Sequence, residues 1–143
     1  MLTTAVRRYL IINKFRQSAA DNRVVCRSMA SAASTDRFKL IFFVPPTHLP
    51  QCKEAIFATG AGRYPGPGNY TEACFITPGV GQFRPGESAK PAIGEAGKLE
   101  EVGEVRCETI CVGREVAKAA VEALKKAHPY EEAAYEVYKM EDL

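Results

Sequence analysis

The sequence predicts an α+β domain of the ferredoxin-like βαββαβ type, an antiparallel sheet with two helices on one face. Three observations predict it. Runs rich in β-branched and aromatic residues at 38–44, 70–77, 104–112 and 134–139 read as strands. Two stretches, 47–58 and 114–127, repeat apolar residues at the period of a helix. Their order, strand–helix–strand–strand–helix–strand, is that of the split βαβ arrangement.

Phe38–Val44 opens the domain. Phe38, Leu40, Phe42 and Val44 point one way and Ile41 and Phe43 the other, so both faces of the sheet need cover. Pro45-Pro46 stops the strand, and Thr47 or His48 leads into a helix that runs through Ala58 and ends at Gly60 as a left-handed cap. After the Gly/Pro-rich turn Gly60–Gly68, residues 70–77 form a second strand, broken at Pro78-Gly79, with 80–84 continuing the pairing across a bend. Pro85–Gly97 is a loop punctuated by Gly86, Pro91, Gly94 and Gly97.

In the third strand, Glu104–Val112, the residues Val105, Cys107, Thr109 and Cys111 suit the helix-covered side. Glu104, Arg106, Glu108, Ile110 and Val112 take the other side. Such a charge ladder suits a solvated face, but beside Ile41 and Phe43 it is read here as a surface for subunit packing. Arg114–Ala127 is the strongest helix, with Val116, Ala120, Val121, Leu124 and Ala127 at helical spacing. Lys125 and Lys126 complement its dipole, and His128-Pro129 ends it. Ala134–Lys139 closes the sheet.

The 143 residues are 46% hydrophobic and 25% charged, enough apolar content to bury the core of one domain. No apolar run approaches the roughly 20 residues that span a bilayer. The net charge of +2 hides an asymmetry. Residues 1–34 carry six bases and one acid, +5, whereas residues 35–143 carry thirteen bases and sixteen acids, −3. The chain therefore divides into a basic leader at 1–34 and a single ferredoxin-like domain at 35–143.

The leader is rich in Arg, Ser and Ala, and an imperfect amphipathic helix can be drawn through Leu2, Val6, Tyr9, Leu10 and Asn13. That composition predicts a mitochondrial presequence; the alternative is a basic tail without an address. Met29 offers a second start and with it a cytoplasmic form. The acidic domain lacks interleaved basic and aromatic residues, which argues against a nucleic-acid partner.

Five cysteines contain no Cys-x-x-Cys pair, and His48 and His128 are the only histidines, too few for a Cys/His zinc site. Cys107 and Cys111 lie about 13 Å apart along one strand and cannot bridge within it. The thiols read as small core side chains in a reducing compartment. Gly60-Ala61-Gly62 follows a helix and leads into a strand, the reverse of a phosphate loop, and no Gly-Lys-Ser/Thr occurs.

The densest cluster of functional groups is Ala127–Tyr138. His128 sits at a helix C-terminus, where the dipole favours imidazolium, and Tyr130, Glu131 and Glu132 follow at once. This set could ligate a divalent cation or form an acid/base pair; the plainer reading is a turn with solvated carboxylates. Gly79–Glu104 is too long for a simple connector. Arg84, Lys90 and Lys98 could grip an anion there, balanced by Glu95, Glu100 and Glu101, or the segment is a solvated loop.

Five motifs in order carry a resemblance. They are Gly60-Ala61-Gly62 with Gly68-Asn69-Tyr70; Gly79-x-Gly81-x-Phe83-Arg84-Pro85; Pro91-x-Ile93-Gly94-Glu95-x-Gly97; Glu104-x-Arg106-x-Glu108; and Ala127-His128-Pro129-Tyr130-Glu131-Glu132. Over about residues 38–140 the chain resembles the PII-like, CutA-like insert domain of the NGG-one-interacting-factor-three family (the YqfO-type insert), here looking like the insert standing alone. It departs from the pattern at Pro65-Gly66-Pro67, which looks inserted, and at Ala133, where a proline often follows the Glu-Glu pair.

The resemblance implies a homotrimer with ligand clefts between subunits. Its candidate cleft residues are Arg84, Glu95, Arg106, His128, Tyr130, Glu131 and Glu132, for a small anionic ligand or a divalent metal. No cofactor is identified and no catalytic step is assigned, because the His-rich two-metal motifs of full-length relatives are missing. Two alternatives stay open: a protein–protein interaction module, and a hydrolase-like enzyme using His128 with Glu131 or Glu132.

Overall fold

Alternation of apolar and charged residues makes the first strand, β1 (Arg37–Val44), the centre of the domain. Phe38, Leu40, Phe42 and Val44 all face the core, and the last three are fully buried. The computed structural model describes residues 36–143; the leader, Met29 and Cys26 lie outside the described residues. β1 pairs antiparallel with β3 (Glu100–Val112) on one side and β4 (Tyr135–Met140) on the other. β2 (Cys74–Phe83) pairs antiparallel with the outer side of β3, so the sheet order is β2-β3-β1-β4. β1 and β2 thus run parallel with β3 between them, which is the split βαβ arrangement of a ferredoxin-like fold.

Both helices cover one face. A single turn of 3₁₀ helix at Pro46–His48 follows the proline pair and leads into α1 (Leu49–Ala58), which buries Cys52 and Ile56. Thr59 Oγ1 donates to the Ile56 carbonyl at 2.6 Å, and Gly60, at φ 95°, turns the chain away in the left-handed region. α2 (Arg114–Ala127) has the boundaries that its periodicity predicts and buries Ala117, Ala120 and Leu124. These residues join Val105, Cys107 and Cys111 of β3 and the inward side chains of β1 in one core. Among the described residues, no helix is long and apolar enough to cross a membrane.

The second strand differs from expectation. The chain does not pair over 70–73, because Asn69 (φ 49°) and Glu72 (φ 56°) are held in the left-handed region, which interrupts an extended run. Nor do Pro78-Gly79 break it: β2 continues from Cys74 to Phe83 with Pro78 opposite Val105. The sheet order explains this. β2 is an edge strand, where a proline nitrogen facing outward forfeits no ladder hydrogen bond. With β2 uninterrupted, β3 begins at Glu100 rather than Glu104, pairing Phe83 with Glu100.

That longer hairpin has a consequence for shape. β1 ends opposite Val105, so Glu100–Glu104 pair only with β2 and project beyond the rest of the sheet as a two-stranded arm.

The open face is also more finished than the sequence suggests. Ile41 and Ile110 are buried there within the single chain. Around Ile41 the side chains of Arg106, Glu108 and Lys39 form an ion network: Arg106 Nε donates to Glu108 Oε1 at 2.9 Å, and Lys39 Nζ lies 3.7 Å from Glu108 Oε2. The Arg106 guanidinium sits 5.7 Å from the centre of the Phe43 ring. The ladder therefore roofs its own aliphatics. Among the strands, the most exposed apolar side chains lie along β2, where Phe75 is 68% and Val80 72% exposed on opposite faces.

Candidate ligand-binding cleft

Three segments meet beside the arm: the arm itself, the loop that joins β2 to β3, and the turn between α2 and β4. They enclose a cleft of about 730 Å³, walled by Phe83, Pro85, Pro91 and Ile93 and carrying Arg84, Glu104, Tyr130, Glu131 and Glu132. That volume suits a small organic molecule.

The loop is tied at its base and near its middle. Arg84 Nη1 donates to the Gly97 carbonyl at 2.5 Å, and the Gly97 N–H returns a bond to the Pro85 carbonyl at 2.8 Å. Further along, the Lys90 N–H donates to Glu131 Oε1 at 3.0 Å, joining the loop to the turn after α2.

His128 anchors that turn. Its ring is buried, with Nδ1 3.2 Å from the Tyr130 backbone N–H and Nε2 2.8 Å from the Phe43 carbonyl oxygen. A backbone N–H can only donate and a carbonyl can only accept. The neutral tautomer with its proton on Nε2 satisfies both contacts. The imidazole fastens the end of α2 to the end of β1, and the Tyr130 ring packs on it at 5.0 Å between centroids.

Tyr130 then extends toward the arm, its ring 6.5 Å from that of Phe83. Its hydroxyl is buried without a hydrogen-bond partner. Burial first, and then the nearby Glu104 carboxylate, push the phenol up to about 12, although that carboxylate does not close a hydrogen bond onto it. Glu104 has room because Gly81 faces it across the hairpin: a Cβ at Gly81 would strike the Glu104 carboxylate.

The cleft gathers Arg84, Tyr130, Glu131 and Glu132 of the residues expected at a site, and leaves out three. Glu95 is exposed in the loop and pairs with Lys98 at 2.5 Å. Arg106 belongs to the open-face ion network, and His128 stands behind Tyr130. Glu104 and Phe83 are the lining residues that sequence reasoning missed. Their signal was Gly79-x-Gly81-x-Phe83, which becomes meaningful only when β2 is followed past Pro78.

Among the described residues, no three His, Cys, Asp or Glu side chains converge as a metal-holding group. The cysteines lie elsewhere. Cys52, Cys107 and Cys111 are buried and Cys74 half-buried, all as free thiols. Burial pushes Cys111 up to about 11; Cys107 reaches about 12 through burial and then the neighbouring Cys74. Thiols so shifted are poor nucleophiles at neutral pH.

The fold is that of the PII/CutA-like, ferredoxin-like proteins. The CutA periplasmic divalent cation tolerance protein of Archaeoglobus fulgidus superposes with a TM-score of 0.53 at 13% identity, over 74% of this chain and 85% of that one. GlnK of Bacillus subtilis, in its complex with ATP, superposes at 0.50 and 12% identity, over 76% and 86%. Likeness at that level concerns the fold alone.

Closer similarity identifies the family. The GTP cyclohydrolase 1 type 2 homolog of Bacillus subtilis is 44% identical over 103 residues, covering 72% of this chain and 26% of the relative. A NIF3-related protein of Bacillus cereus superposes with a TM-score of 0.63 at 37% identity, over 76% of this chain and 27% of that one. Over this domain the chain belongs to the NIF3 family. It spans about a quarter of the length of the curated relatives it matches. No family model matches the chain.

Proposed function

We propose that this domain is a self-associating, PII/CutA-like ligand-binding module, a homotrimer that holds a small ligand or divalent cation in the cleft beside the arm, with no catalytic step assigned to it. The observation that carries the reading is the convergence of three chain segments on one cleft that gathers Arg84, Glu104, Tyr130, Glu131 and Glu132 beside the apolar Phe83 and Ile93. Self-association is supported by β2, an unpaired edge with Phe75, Ile76 and Val80 exposed.

Light scattering of the purified protein at micromolar concentration, together with thermal shift against divalent metals and nucleotides, tests both halves. The expected result is a trimer whose unfolding temperature rises with at least one ligand class, since a ligand of the native state stabilises it by RT ln(1 + [L]/Kd). Phe75→Lys with Val80→Lys should dissociate the trimer. A monomeric wild-type protein overturns the assembly. A trimer that no ligand class stabilises supports the protein–protein interaction module instead.

A further inference from the structure

The sheet ends in two edges, β2 on one side and β4 on the other. Neighbouring strands are antiparallel throughout, so β2 and β4 run in opposite directions. A β4 laid beside the β2 of another copy therefore continues the sheet antiparallel. The backbone is set for this. Pro78 has no N–H and lies opposite Val105 in an unbroken register, so it marks the positions of β2 whose polar groups face outward. Cys74 and Ile76 share that alternation. On the other edge, the Phe43 N–H donates to the Ala134 carbonyl at 3.1 Å, so Ala134 faces β1. Alternation then turns the polar groups of Tyr135, Val137 and Lys139 outward.

The side chains agree with the backbone. β2 exposes Phe75 and Ile76 side by side, and β4 exposes Val137 and Tyr138. Ile76 lies across from Cys107 and Val137 across from Leu40, both core residues, so these two belong to the helix-covered face. Phe75, across from Glu108, and Tyr138, across from Lys39, belong to the open face. One antiparallel register sets Ile76 opposite Val137 and Phe75 opposite Tyr138 at once. It also sets Pro78 opposite Tyr135, the first residue of β4, so the ladder ends where the proline lacks an amide. Glu136 then stands opposite Thr77, whose neighbour on β3 is Arg106, and the charges of the two copies are complementary there.

We propose that the β4 edge of one copy pairs with residues 74–78 of the next, head to tail, with Val137 on Ile76 and Tyr138 on Phe75. This names the partner surface for self-association and rests on that reading. A ring of three needs two different surfaces on each copy, one to meet the other, and the two edges are such surfaces. Apolar pairs across the strands add to the ladder bonds in holding the joint. Residues 79–83 stay outside it, which leaves the arm to wall the cleft.

Sedimentation and light scattering of the full chain test this with charges placed at exposed positions. Phe75→Glu and Tyr138→Lys should each raise the concentration of half-dissociation about tenfold or more, because each sets a charge against an aromatic ring. The double variant carries opposite charges at facing positions and should form the trimer again. Circular dichroism of all three should match the wild type. Register is checked by cross-linking: Phe75→Cys with Tyr138→Cys should link chains on oxidation beyond the wild-type level. Thr77→Cys with Tyr138→Cys, two residues out of register on the same face, should not.

A wild-type trimer that both single substitutions leave intact overturns the edge pairing, while the trimer stands on another surface. Dissociation by the singles without recovery in the double, or linking of the Thr77 pair instead, overturns the register and the pairing with it. Open-ended assemblies that the same substitutions dissolve keep the pairing and remove the ring of three. A monomeric wild type removes both.

Discussion

The covered body of the sheet and its projecting arm are made from the same two strands and obey different rules. In the body, β3 from Val105 onward alternates between the helix-covered and open faces, and its inward Val105, Cys107 and Cys111 are buried in one core with side chains of β1, α1 and α2. In the arm, Glu100–Glu104 and Gly79–Phe83 have no third strand beside them. There the glycines, the aromatic ring and the carboxylate are placed around a cavity rather than packed away. One strand thus passes from stabilising the fold to shaping a site within a few residues, and the end of β1 marks the change.

If that division is correct, disturbing the body should unfold the whole domain. Phe42→Ala removes a fully buried ring from the centre of β1 and should destabilise by about 3–5 kcal/mol in urea unfolding, with every probe losing structure together. Survival of the β3–α2 core with β1 detached would show that the body is not one cooperative unit.

His128 lies where the two regions join, so its loss should be intermediate. His128→Phe keeps a ring in place but leaves the Phe43 carbonyl and the Tyr130 N–H without partners, at a cost of about 2–3 kcal/mol. Hydrogen exchange should increase most across 128–134. Unchanged stability would mean that the imidazole contacts are dispensable, and would reopen a chemical role for the residue.

The smallest effect belongs to the turn that packs beside the arm. The Tyr130 phenol is held above its ordinary value, so the native state keeps its proton while unfolded chains begin to ionise at about pH 10. The stability from this group is fully present below that pH and is lost as pH rises through about 12. Ultraviolet titration of phenolate should show a tyrosine titrating at about 12 that disappears in Tyr130→Phe, distinct from Tyr138, which its hydrogen bond to Glu136 also raises. If the late step persists in that variant, the hydroxyl is not enclosed as described.

The body was also the region most legible in the sequence. β1 and α2 announce themselves because burial follows a period carried by neighbouring residues, and Arg114–Ala127 needed no revision. The arm was not legible, because reading it required the sheet order: Pro78 looks like a break until β2 is known to be an edge. Glu104 consequently appeared only as one rung of a charge ladder. His128 was conspicuous for its chemistry, yet one of its partners is a backbone carbonyl 85 residues away, which no local pattern reveals. Arg106 and Glu95 matched a family motif in sequence but do not line the cleft, being held in ion pairs with Glu108 and Lys98.

Pro78 has one more consequence. A bare ten-residue edge can template any extended chain that drifts alongside it, including an unfolded copy of the same protein. A proline in the middle of that edge denies such a chain an unbroken ladder, since the outward amide it would need is missing. Runaway fibrous stacking is therefore obstructed at the middle of β2, while the side chains of Phe75 and Val80 remain free to pack against a properly folded neighbour. The residue that hid the strand from view also acts as its safeguard against misassembly.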